Sequence, residues 1–193
     1  GKYLSSKLTL LSRASAAHST LYLNNTSSSI FQKNKIINKV YGNSLLQKHQ
    51  IIKKTYAEEK DFYFIEASHN GYENNFGYLH TRTIKALKKE DKIFGYDELK
   101  KTKSYSNPLD YFIRFHIYPN IKIVKTQAGN SVLMSLLNGE GWILRSKTNS
   151  FNIEKNIFLG NKNKIINNES VYISGKVNAK DIVSVEWTIE RID

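Results

Sequence analysis

Five histidines, at positions 18, 49, 69, 80 and 116, are the side chains best able to move protons or bind a metal near neutral pH. Two of them share one short stretch, in which Ser68-His69-Asn70-Gly71-Tyr72 is followed by Gly77, His80 and Arg82. Two imidazoles, a phenol and a guanidinium around one predicted hairpin can grip a carboxylate, and burial or a nearby cation would tune His69 and Tyr72 for proton transfer. The same residues have a structural use too, with His69 and Tyr72 closing a turn and His80 and Arg82 sharing a strand face. His18 lies in Arg13-Ala14-Ser15-Ala16-Ala17-His18-Ser19-Thr20, where small residues let backbones pack closely. One imidazole is not a metal site, so metal binding there needs partners from elsewhere; the alternative is a hydrogen-bonded histidine at a strand edge. Arg114, His116 and Tyr118 alternate along one predicted strand and form an architectural trio, with Glu140 a candidate acid for the arginine. Trp142 and Trp187 read as core plugs, or as platforms for a pyranose where exposed.

Other chemistries are missing. The chain has no cysteine, which removes disulfides, thiolate metal sites and thiol nucleophiles together. There is no HExxH, GxSxG, P-loop or GxGxxG, and no close carboxylate pair of the glycosidase type.

The elements that must hold these side chains are strands. Val183, Val185, Trp187 and Ile189 alternate with Ser184, Glu186, Thr188 and Glu190, a period of two that makes a half-buried antiparallel strand. The same reading gives strands over Thr20–Asn24, Ile51–Tyr56, Phe62–His69, Thr81–Leu87, Phe112–Tyr118, Ile121–Thr126, Val132–Leu137, Trp142–Arg145 and Val171–Val177. Asn70-Gly71, Pro119-Asn120, Gly129-Asn130, Asn138-Gly139 and Gly160-Asn161 are the predicted reversals, since these residues tolerate positive φ. Helical turns are expected only over Asp97–Lys103 and Asn43–Lys48, and Lys101–Asn107 is the one seam. Two prolines in 193 residues suit ladders that tolerate few missing donors. The expected fold is all-β, an antiparallel sandwich of stacked sheets, with residues 1–193 forming a single domain.

A formal charge of +12 suggests an anionic partner, but 24 lysines against 5 arginines, together with abundant asparagine, partly reflect an AT-rich codon bias. Position is more informative. Residues 1–57 carry nine cations and no acid, whereas residues 58–193 carry 20 cations and 17 acids. Arginine beside exposed aromatics and a reading helix are both absent, so nucleic acid is not the expected partner. No apolar run approaches the roughly 18 residues that cross a bilayer, and no signal-peptide layout opens the chain. Gly1 is not expected to be the natural start, and the chain reads as a C-terminal fragment of a longer protein.

The order of the motifs carries a resemblance. RASAAHSTLYLNNTSSSIF, then SHNGYENNFGYLHTRTIKAL with DKIFGYDEL, IRFHIYPNIKI, NGEGWILRS, IFLG, VYISGKV and VEWTIERI resemble the C-terminal β-domain of bacterial heparinase II/III-like proteins, across roughly residues 8 to 192. That resemblance implies a polysaccharide lyase. β-Elimination at a uronic acid removes the C5 proton, holds the C6 carboxylate charge and expels the C4 oxygen, with an acidic polysaccharide as substrate. It also implies that the helical toroid and the main catalytic residues lie outside these residues, so that this chain alone is inactive. His18 matches the histidine of an H-N/S-T motif that helps bind a structural zinc in the complete protein, with the usual partner ligands lying before it. His69, Tyr72, His80 and Arg82 match a recurrent family stretch and are expected near the substrate cleft. A periplasmic or envelope location follows from the same resemblance. The competing reading is a non-catalytic module that binds glycan or another polyanion, or serves structurally. Two structural expectations follow: His18 and the His69 hairpin meet at one edge of the sandwich, and apolar surface is exposed where a toroid would dock.

Overall fold

The computed structural model describes residues 8, 11–32, 34–41, 44–160, 165–178 and 182–192. After a 3-10 turn at Ser15–Ala17 come β1 (Leu21–Leu23), β2 (Ile30–Phe31), α1 (Lys35–Tyr41), β3 (Leu45–Gln47), β4 (Ile51–Glu58) and β5 (Phe62–Tyr72). Then follow α2 (Glu73–Phe76), β6 (Tyr78–Leu87), β7 (Lys92–Lys101), β8 (Leu109–His116) and β9 (Lys122–Lys125). The last five strands are β10 (Ser131–Ser135), β11 (Gly141–Arg145), β12 (Phe151–Phe158), β13 (Ile166–Val177) and β14 (Ile182–Ile192).

The fold is all-β and antiparallel, a sandwich in which an eight-stranded sheet, β4-β5-β6-β7-β14-β11-β10-β9, faces a four-stranded sheet, β1-β8-β13-β12. Strands β2 and β3 pair separately. Strict alternation builds the interface between the sheets: Leu109, Tyr111, Ile113 and Phe115 of β8 are buried, and Val185 and Trp187 of β14 come up to meet them. The rings of Phe115 and Trp187 stand edge to face with centroids 5.0 Å apart, which seals the layers above the polar cluster described below.

All ten predicted strands occur; among the described residues there are four more, β2, β3, β7 and β12. The helical turn expected over Asp97–Lys103 is instead the second half of β7, because pairing with β6 and β14 on both sides outweighs the helix preference of Asp-Glu-Leu-Lys-Lys. The turn expected over Asn43–Lys48 is strand β3 at Leu45–Gln47, with Asn43 outside the described residues. The seam at Lys101–Asn107 is the crossover from the large sheet to the small one, anchored by Tyr105 against Phe76.

Asn70-Gly71 is not the reversal of the hairpin. The chain turns one helical turn later, through α2, and Gly77 closes that turn at φ 75°. Gly71 sits in a bulge of β5, where a Cβ would lie 2.5 Å from the carbonyl oxygen of Ser28. Its residue type is set by close approach, not by reversal. Asn120, Gly129 and Gly139 do carry positive φ at the predicted turns, while Asn161 lies outside the described residues.

Apolar side chains are exposed on β4, β5 and the α1–β3 region, including Ile51, Tyr56, Ile65, Ile36 and Leu46. No helix among the described residues is long and apolar enough to cross a membrane.

Candidate functional site

Antiparallel pairing sets His69 of β5 directly across from His80 of β6, and Arg82 of β6 across from Asp97 of β7. The two pairs are two residues apart, so all four side chains lie on the inner face of the large sheet. At its centre is the Asp97 carboxylate, 1% exposed, a residue the sequence reading had placed in a helical turn. Oδ1 accepts from His80 Nε2 and Arg82 Nε, each at 2.8 Å, and Oδ2 accepts from Arg82 Nη2 and Trp187 Nε1, each at 2.9 Å. Burial pushes this carboxyl up, but the Arg82 guanidinium together with His80 outweighs it and holds the group well below the usual carboxylate range.

From Asp97 a chain of donors runs outward. Gly71 N–H donates to His69 Nδ1 at 3.1 Å, so His69 carries its proton on Nε2 and donates to His80 Nδ1 at 3.1 Å; His80 in turn donates through Nε2 to Asp97. Every nitrogen has one partner. Burial, with the neighbouring His80 and His49 rings, lowers His69 to about 3. A second proton finds no free lone pair on this chain, so His69 would have to give up its Gly71 contact to accept one.

Tyr72 belongs to this neighbourhood but is wholly buried, and its hydroxyl donates to the Leu21 carbonyl at 3.0 Å. Burial raises the phenol well above its ordinary range. His69 and Arg82 join the cluster to the outside: the His69 ring lies 5.3 Å from that of His49, whose Nδ1 meets Ser29 Oγ at 2.7 Å, and Arg82 is partly exposed.

The His18 segment crosses this edge as a strap over both sheets. From the large sheet, Arg82 Nη1 donates to the Ser19 carbonyl. From the small sheet, Arg114 Nη1 and His116 Nε2 both donate to the Ala16 carbonyl at 3.1 Å. Ser15 Oγ accepts from Ser28 N–H at 3.0 Å, which fixes the loop that packs on Gly71. The segment that carries His18 and the His69 hairpin therefore lie at one edge of the sandwich, joined through Ser15 and Ser19. The Arg114 trio is structural too, but its acid is Glu154, at 2.8 Å, while Glu140 instead accepts from Trp142 Nε1. Trp187 is a core plug that also feeds Asp97, and Tyr118 leaves the trio to meet Phe158.

His18 itself is exposed. No group of three His, Cys, Asp or Glu side chains placed to hold a metal ion occurs among the described residues, so these residues do not by themselves make a zinc site.

The sequence matches the family model described as heparinase II/III-like, C-terminal, over residues 1–188. The chain belongs to the heparinase II/III-like family. No curated protein matches the sequence. Among solved structures, the heparinase-like sandwich superposes on the heparan sulfate lyase HepC from Pedobacter heparinus with a TM-score of 0.75 at 14% identity, covering 100% of this chain and 28% of that one. A structure of heparinase III gives a TM-score of 0.68 at 14% identity, with 98% of this chain and 26% of that chain covered. A heparinase III with methylated lysines gives 0.73 at 13% identity, over 100% and 27%. At these identities the likeness is one of fold, and the chain spans little more than a quarter of the length of these proteins.

Proposed function

We propose that this chain is the β-sheet portion of a polysaccharide lyase that cleaves a uronic-acid-containing acidic polysaccharide by β-elimination. The observation that carries the reading is the heparinase II/III-like family match along nearly the whole chain. On this reading the main catalytic residues come from a helical toroid outside these residues, and the protein acts in a bacterial periplasm or envelope. His69, Tyr72, His80 and Arg82 lie at the edge of the substrate cleft. They act as positioning residues for that edge, because their polar atoms are already taken by Gly71, by one another, and by Asp97, Ser19 and Leu21.

The test is incubation of the full-length protein with a panel of uronate polymers. An unsaturated product with new ultraviolet absorbance is expected, and absence of that product across the panel overturns the lyase reading. One observation favours the non-catalytic alternative for the isolated sandwich: both nitrogens of both histidines are occupied by internal partners. That alternative expects glycan binding without any product.

A further inference from the structure

The outer face of the large sheet, turned away from the strap and the histidine chain, carries a groove of about 610 Å³. Its floor is set by register. Lys85 of β6, Phe94 of β7, Thr188 of β14 and Arg145 of β11 are consecutive cross-strand partners, a single row over four strands. With neighbouring strands about 4.8 Å apart, the two cations at the ends of that row stand roughly 14 Å apart, the length of a few pyranose rings. A second row, Thr83, Tyr96 and Glu186, lies beside it.

Charge and surface chemistry select the occupant. Lys85, Lys92, Arg145 and Lys147 line the groove against two acids, Glu186 and Glu190. Lys92 and Arg145 share the single carboxylate of Glu190, at 2.7 and 3.2 Å, so one acid serves two cations. Lys85 rests on the Phe62 ring at 4.2 Å and has no acid within ion-pair distance among the described residues. Phe94 is 39% exposed at the middle of the first row, an apolar plate between charges. Lys147 stands 3.9 Å from Glu186, so four cations share two acids, and a purely apolar partner would leave that net charge, Lys85 above all, unanswered. An acidic sugar chain answers all three features: its anions meet the cations, its hydroxyls donate to Glu186 and Glu190, and the C–H face of a ring lies on Phe94.

We propose that this groove is a binding site for an anionic oligosaccharide, laid across β6, β7, β14 and β11 with its acidic groups at Lys85 and Arg145. The choice of an acidic glycan rests on the function proposed above. Asp97 and Tyr96 are neighbours in β7 that point to opposite faces, so a ligand here lies one sheet thickness from the histidine chain.

The experiment is calorimetric titration of the full-length protein with sulfated cellohexaose, an anionic probe that contains no uronic acid and cannot undergo β-elimination. Neutral cellohexaose and a 12-mer of oligothymidylate serve as comparisons. Wild-type protein is expected to bind the sulfated probe at least tenfold more tightly than either. The K85Q/R145Q double variant should lose tenfold or more, and F94A three- to fivefold with its salt dependence unchanged. Lys147 is 87% exposed at its side chain, and K147E serves as the second variant that keeps the fold, with an expected loss of three- to fivefold. Equal affinity of K147E and wild type together with no loss in K85Q/R145Q overturns the site, and so does tighter binding of oligothymidylate. Cleavage plays no part in this readout, so a protein that yields no unsaturated product yet binds the probe fails the lyase reading alone.

Discussion

The strap is held twice, by two arginine–carboxylate pairs that do the same work in different surroundings. Arg82 on the large sheet uses Nε, Nη1 and Nη2, and its partner Asp97 has a side chain that is 0% exposed. Arg114 on the small sheet reaches Ala16, Tyr22 and Glu154 through its Nη atoms, while its Nε is buried without a partner among the described residues; Glu154 is 34% exposed. A carboxylate removed from water must have its charge answered from every side, and four donors converge on Asp97. Glu154 keeps part of its hydration and makes do with Arg114 and Ser170. The lesson is that two arginine–carboxylate pairs with the same task differ in worth with their burial.

The sharpest way to break the comparison is D97N, which leaves Arg82 charged and puts an amide donor among donors. Denaturant unfolding should show a loss of about 3–5 kcal/mol. Next is G95A, which acts on the same pair through its roof: the new Cβ would lie 2.1 Å from the Trp187 ring and force the indole off Asp97. A loss of about 2–3 kcal/mol is expected, with a shift in tryptophan fluorescence.

Acid sharpens the comparison further. His69 binds a proton in the unfolded chain below about pH 6.5 but in the folded protein only near 3, so stability declines as pH falls between those values and is indifferent to His69 above them. The cost from this one group is about 1.4 kcal/mol by pH 5.5, read from unfolding midpoints. H69Q should flatten that limb, and an unchanged slope would show that the histidine chain takes up protons when folded. His116, beside Arg114, is lowered by burial too and adds to the slope, as do Glu66 and Glu190, whose carboxyls are held below their ordinary range by Lys53 and Lys92. The smallest effect belongs to E154Q, at about 0.5–1 kcal/mol, because its pair is partly hydrated. A loss as large as that of D97N would erase the distinction between the two grips.

Much of this was legible in the chain and some was not, for physical reasons. Alternation exposed β8 and β14 because each has one wet and one dry face. It failed for β7, where Ile93, Gly95, Asp97 and Leu99 face inward: a glycine and an acid interrupt the apolar series, although their period of two was there to be read. The His69, His80 and Arg82 grouping was visible from the hairpin spacing, while Asp97, which organises it, was hidden by its helix-favouring neighbours. Asn70-Gly71 misled because a glycine needed for close approach looks the same in sequence as one needed for reversal. Glu154 could not be told from Glu140, since its meeting with Arg114 depends on β12 and β8 both flanking β13.

The strap's double fastening also has a mechanical consequence. A pull on the backbone ahead of Ser15 loads Arg82 and Arg114 together, and through them both layers, before any tension reaches β1. The two sheets then resist as one body, so stretching from that side should give a single rupture where a strap tied to one layer would peel in steps.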